Sequence, residues 1–168
     1  NVGAFVRLGW RDRAQELMDF FFVDRRPQAW NGWAEVVGRD ARERRFIGDM
    51  PHAWIASDYI RSALELFAYH DPARDALVLA AGVPQSWLEA GGVAVRRLRT
   101  PYGLISYSLR RDAGALVLDV EGDAPPGGLV FPWPLRTPPG SAPFDGAPTR
   151  FDEAFRLPRA GRLVVQLQ

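Results

Sequence analysis

The stretch "WNGWAEVVGRDARERRFIGDMPHAW", residues 30–54, gathers Trp30, Trp33, Glu35, Asp49, His52 and Trp54 in a loop-like passage between two helical patterns. A packed core has no use for that mixture. Carboxylates move protons, indole faces carry the apolar face of a sugar ring, and an imidazole hydrogen bonds beside them. Together they suit carbohydrate binding and glycoside hydrolysis, in which one carboxyl is the acid and a second the base or nucleophile. Glu35 is the candidate catalytic group. Its sequence neighbours Trp33, Ala34, Val36 and Val37 form an apolar setting that suits a carboxyl to proton transfer. Trp30, Trp33, Asp49, His52 and Trp54 are the candidate substrate-binding groups. Each has a plainer reading: an exposed Glu beside a turn, tryptophans of a core, Asp49 as a helix cap, and a packed histidine at a helix start.

Other chemistries lack material. The chain has no Cys and two histidines, His52 and His70, so thiolate catalysis and Cys-ligated metal are excluded and a His-rich metal centre is unsupported. No Gly-rich phosphate loop, HExxH or GxSxG pattern occurs. Neither a cofactor nor a metal is expected. All 21 basic residues are Arg, set against 20 acidic ones for a net charge of +1. That balance argues against a dedicated nucleic-acid or membrane-surface binder, and the Arg bias suggests a high-GC bacterial genome. No apolar run approaches the roughly 18 residues of a membrane span. The run Arg39–Arg45 reads as a solvated loop; Arg96, Arg97, Arg99, Arg110 and Arg111 read as a basic strand face.

The elements that must position these groups change character near Asp71-Pro72. Before it, Trp10, Ala14, Leu17, Met18, Phe21 and Phe22 form one helical stripe, which Pro27 stops. Gly3 to Leu8 reads as an earlier helix ended by Gly9. Ile55, Tyr59, Ile60, Ala63, Leu64, Phe67 and Ala68 form a second stripe, with Asp49 as its N-cap and Pro51 in its first turn. After Pro72 the period becomes two, predicting strands at 76–81, 93–99, 104–111, 115–121, 129–131 and 163–167. In the third of these Ile105, Tyr107 and Leu109 alternate with Ser106, Ser108 and Arg110, one dry face and one wet. The Pro/Gly-rich "PWPLRTPPGSAPFDGAP" reads as an ordered loop or edge crossing. The chain opens Asn-Val-Gly-Ala-Phe with no initiator Met, which reads as a mature product or a piece of a longer protein.

The segments "GDMPHAWIASDYIRSALELFAY" and "ALVLAAGVPQSWLEAGGVAVRRLRTPYGLISYSLRRDAGALVLDV" resemble the C-terminal end of bacterial six-hairpin glycosidases, the (α/α)6-barrel enzymes that include the α-L-rhamnosidase-like families. The resemblance runs from about Trp30 to Val120 and is most specific in "GVPQSWLEAGGVAVRRLRTPYGLISYSL". It implies an α+β, two-lobed chain: residues 1–72 as the last helices of the barrel, and 73–168 as an antiparallel β-sandwich. It further implies that Trp33 and Glu35 match the family's Trp-Glu-x-Trp segment, whose carboxylate activates water in an inverting reaction, and that Pro51-His52 match an Asn-His pair beside the site. Ala34 between Trp and Glu, Val37 for the second Trp and Pro51 for Asn are departures. The partner acid would stand upstream, so the chain alone is an incomplete glycoside hydrolase whose partners are a carbohydrate and either the missing barrel or another copy of itself. The alternatives are a non-catalytic carbohydrate-binding module and an assembly module.

Overall fold

The computed structural model of the chain describes residues 1–23, 25, 28–36, 38 and 48–168. Pro27, Val37 and Arg39–Arg45, on which a helix stop, part of the apolar company of Glu35 and a solvated loop were expected, lie outside the described residues. The chain divides into two compact units, Asn1–Glu65 and Leu66–Gln168.

The first unit contains helices α1 (Val2–Arg7) and α2 (Arg11–Val23), a 3-10 turn at Gln28–Trp30, and all but the end of α3 (Ala53–Phe67). Gly9 ends α1 in the left-handed region, at φ +74°. The Trp10 N–H reaches the Phe5 carbonyl at 2.8 Å and the Gly9 N–H the Val6 carbonyl at 3.0 Å. This pair of bonds satisfies the orphan carbonyls of the last turn. The Phe5 and Trp10 rings close the same motif at 5.8 Å. Only Ala14 and Met18 of α2 are buried, one helical turn apart. Glu65 of α3 lies between Arg7 of α1, at 3.3 Å, and Arg61, at 3.4 Å. Gly3 makes room for it, because a Cβ there would lie 1.5 Å from the Glu65 carboxylate.

The second unit is built of strands. One sheet has the order β1-β2-β6-β10-β9, from β1 (Ala68–Asp71), β2 (Ala76–Leu79), β6 (Leu129–Pro132), β9 (Phe151–Asp152) and β10 (Ala154–Leu157). The other has the order β3-β4-β5-β11-β7-β8, from β3 (Val93–Thr100), β4 (Gly103–Asp112), β5 (Ala115–Gly122), β7 (Pro143–Phe144), β8 (Ala147–Pro148) and β11 (Gly161–Gln166). Pairing is antiparallel except between β2 and β6. Leu77, Leu79, Phe131, Phe155 and Leu157 from the first sheet share one buried cluster with Ile105, Tyr107, Leu109, Leu116, Leu118 and Leu163 from the second. The expected alternation of β4 is seen: Ile105, Tyr107 and Leu109 are buried, while Ser106, Ser108 and Arg110 are only partly so. β4 turns into β5 through Ala113-Gly114, both at positive φ (45° and 82°), the geometry that a two-residue hairpin requires. A short helix α4 (Gln85–Glu89), absent from the sequence reading, follows β2.

The barrel expectation is overturned. Among the described residues there are four helices, of which only α2 and α3 are long, at 13 and 15 residues. They form no set of terminal (α/α)6 hairpins, and the architecture is a small mixed α/β one with two sheets. The physical reason lies at the end of α3. Instead of turning into another hairpin, the chain passes directly from Phe67 into β1, which pairs with β2 from Ala68↔Leu79 to Asp71↔Ala76. The Leu66 and Phe67 carbonyls, orphaned by the helix end, are taken by the N–H groups of Gly82 (3.0 Å) and Ala80 (2.7 Å). Strand character therefore begins at Ala68, before Pro72.

Candidate functional site

The first unit contains a cleft of about 210 Å³. Ile55, Asp58, Tyr59 and Ser62 line it from α3, at i, i+3, i+4 and i+7, one helical face. Phe21 of α2 and Trp33 of the loop supply the facing wall. Trp33 stacks on Tyr59 with ring centroids 4.2 Å apart and planes tilted by 30°. Its indole N–H donates to the Phe21 carbonyl at 2.7 Å, so the ring is held at its edge and on one face. Burial pushes the Tyr59 hydroxyl above the ordinary phenol range, with Arg25 opposing and Asp19 reinforcing the effect. The cleft thus combines aromatic and aliphatic walls with one carboxylate, Asp58, two hydroxyls, those of Tyr59 and Ser62, and the polar residue Asn1, which lines it beside Val2.

The six residues chosen from sequence do not converge on this cleft. Trp33 lines it. His52 is tied to it through the backbone, its N–H meeting the Trp33 carbonyl at 3.4 Å. His52 rather than Asp49 caps α3: its Nδ1 accepts the Ile55 N–H at 3.3 Å and its carbonyl the Ala56 N–H at 3.1 Å. The helix begins at Ala53, one residue after His52, which leaves the exposed Asp49 too far upstream to cap it. Trp54 is 74% exposed, with its ring 6.5 Å from that of His52, and Trp30 is 63% exposed; neither lines the cleft. Glu35 is exposed and lies against Gly48, where a Cβ would meet the Glu35 Cβ at 2.7 Å. Ala34 is turned inward, 4% exposed, while Glu35 and Val36 after it lie in a bend and are both exposed, Val36 to 50%.

The sequence reading missed Asp58 and Ser62. Their signal was the period that picked out Ile55 and Tyr59, followed for polar as well as apolar members. It also missed a cluster in the second unit. Tyr102, in the turn between β3 and β4, donates its hydroxyl to Asp75 and lies 2.6 Å from His70 Nε2 on β1. Tyr102 has one proton, so while it donates to Asp75 the His70 nitrogen must be the donor to the phenol oxygen. The bond to Asp75 pushes the Tyr102 hydroxyl up to about 12, helped by burial and the Asp75 charge. Among the described residues no group of three or more His, Asp or Glu is placed to hold a metal ion, and no helix is long and apolar enough to cross a membrane.

Comparison with protein-family models, with curated proteins and with solved structures finds no match for the chain.

Proposed function

We propose that the chain is a carbohydrate-recognising part of a glycoside hydrolase, and that the cleft between α2 and α3 seats a sugar ring. The observation that carries this reading is the Trp33–Tyr59 stack, which shares one concave site with Asp58 and Ser62. A pyranose has one apolar face, which aromatic rings take from water, and hydroxyls that a carboxylate and a hydroxyl group bind at the rim. The volume of about 210 Å³ is below that of sites for drug-sized ligands (~300–1,000 Å³) and suits a single ring.

Hydrolysis by carboxylates needs a pair. The cleft offers one, Asp58, and Glu35 lies outside it, so the chain by itself binds without turning over. The test is titration of the full chain with neutral monosaccharides and aryl glycosides, followed by tryptophan fluorescence and calorimetry. Saturable binding, weakened tenfold or more in Trp33→Ala and to a lesser degree in Asp58→Asn, is expected, with no release of the aryl group. Absence of saturable binding to every sugar would end the reading.

One observation favours assembly as a second reading. Of the exposed large hydrophobic side chains among the described residues, only Phe151 belongs to the second unit; Phe20, Phe22, Trp54, Ile60 and Leu64 are in the first. Faces of that kind are commonly covered by another chain. Sedimentation velocity over a range of concentrations separates the two readings: a mass that rises with concentration, without sugar affinity, supports assembly.

A further inference from the structure

Three arginines of β3 stand without acidic partners on a sheet whose neighbouring arginines are matched. Arg110 pairs with Asp119 at 2.8 Å, Arg162 with the same carboxylate at 3.5 Å, and Arg111 with Glu89 at 3.8 Å. Among the described residues Arg96, Arg97 and Arg99 have no such partner. Their placement depends on a β-bulge. Val95 pairs with Tyr107 and Leu98 with Ile105, so Arg96 and Arg97 both stand opposite Ser106. Arg97 takes φ +53°, a left-handed conformation that a side chain resists, and its N–H is held by Ser106 Oγ at 3.0 Å.

The extra residue resets the alternation of the strand. Val95 and Leu98 both pack against the core, and Arg96, Arg97 and Arg99 are all exposed. Without the bulge, strict alternation would send Arg97 and Arg99 inward and Leu98 to water. The same face carries the Ser106 and Ser108 hydroxyls of β4, and Glu121 of β5, in register with Ser106, is the acidic group nearest in the ladder. Guanidinium forks match carboxylates two bonds at a time.

We propose that the outward face of β3 binds an acidic glycan, a chain with carboxylates on successive sugar rings, at Arg96, Arg97 and Arg99. No aromatic side chain stands among the outward residues of β3, as base stacking by a single-stranded nucleic acid would need. The choice of a glycan rests on the carbohydrate reading of the Trp33 cleft; the arginine face does not. β3 is also an edge strand, and charge and bulges guard edges against pairing. Edge protection does not require the charges to bind anything, and the test separates the two roles.

The experiment is affinity electrophoresis of the full chain through gels containing polygalacturonate, fully methyl-esterified polygalacturonate, or single-stranded DNA. Retardation by the free acid alone is expected, fading as salt is raised. The R96Q/R97Q/R99Q variant should migrate as though no polymer were present. Arg97→Gly accepts the left-handed backbone, so it should fold at least as stably while its affinity falls about tenfold, one charge-assisted contact being lost. Equal retardation by the esterified polymer, stronger retardation by DNA, or unchanged retardation of the triple variant would each overturn the proposal. Self-association of the triple variant with unchanged retardation would show that the arginines only guard the edge. Retardation by polygalacturonate in a chain that binds no neutral sugar would defeat the cleft reading and leave the arginine face standing.

Discussion

Trp33 and Tyr59 stack at 4.2 Å, and the Trp33 indole N–H is anchored on the Phe21 carbonyl at 2.7 Å. One bond fixes the edge of the indole and one ring covers a face, so the cleft wall exists before any ligand arrives. Trp33→Ala removes both and should weaken sugar affinity by tenfold or more, about 1.4 kcal/mol. Tyr59→Phe retains the stack and should change affinity by less. Calorimetric titration of the three proteins against one sugar checks the order.

His52 caps α3 through its Nδ1, so the first turn of that helix depends on an acceptor at position 52. His52→Ala should cost about 1 kcal/mol, and His52→Asn, which keeps a side-chain acceptor, should cost less. Asp49→Ala should cost little in comparison. Urea denaturation followed by helical circular dichroism distinguishes the three, and an Asp49 effect larger than that of His52 would refute this capping assignment.

Gly9 closes α1 at φ +74°, with open space where a Cβ would stand. Substitution by Ala therefore meets backbone strain and no steric clash, and should destabilise by about 1 kcal/mol. Gly82 is the contrasting case. A Cβ there would lie 2.7 Å from the Leu66 Cα, so Gly82→Ala should cost more, about 1–3 kcal/mol, from overpacking against backbone. Thermal denaturation of both variants tests the contrast.

Tyr102 hydrogen bonds to Asp75, and that bond pushes its hydroxyl up to about 12 from the ordinary 10.0. A raised pKa means that the folded chain holds this proton more tightly than the unfolded chain does. The contribution to stability is therefore whole below pH 10 and is lost as pH rises through about 12. Tyr102 is only partly buried, so solvent keeps the effect small. Ultraviolet titration of ionised tyrosine should lose its step near 12 in Tyr102→Phe, and the stability of that variant should fall less steeply over the same pH range.

The second unit was legible in sequence wherever one face of a strand is wet. Alternation set the inward register of Ile105, Tyr107 and Leu109, because strand period is a local property. The helical stripe of Ile55 and Tyr59 was likewise visible, since every fourth residue shares a helix face. The residues that meet at Trp33 were not. The loop that brings Trp33 onto Tyr59 is held by its bonds to Phe21 and His52, which lie 12 and 19 positions away. Composition drew attention to Glu35, Trp30 and Trp54, but it says nothing about which side of the backbone faces a cleft. The helix-to-strand switch at Ala68 was decided by tertiary contacts as well. Pairing with β2 and the N–H groups of Ala80 and Gly82 end the helix at Phe67, although its apolar stripe runs on to Ala68. The β3 bulge completes the contrast: the residues Arg96, Arg97 and Arg99 are plain in the sequence, but that all three face outward follows from a slip of register against Tyr107 and Ile105, which only the neighbouring strand can impose.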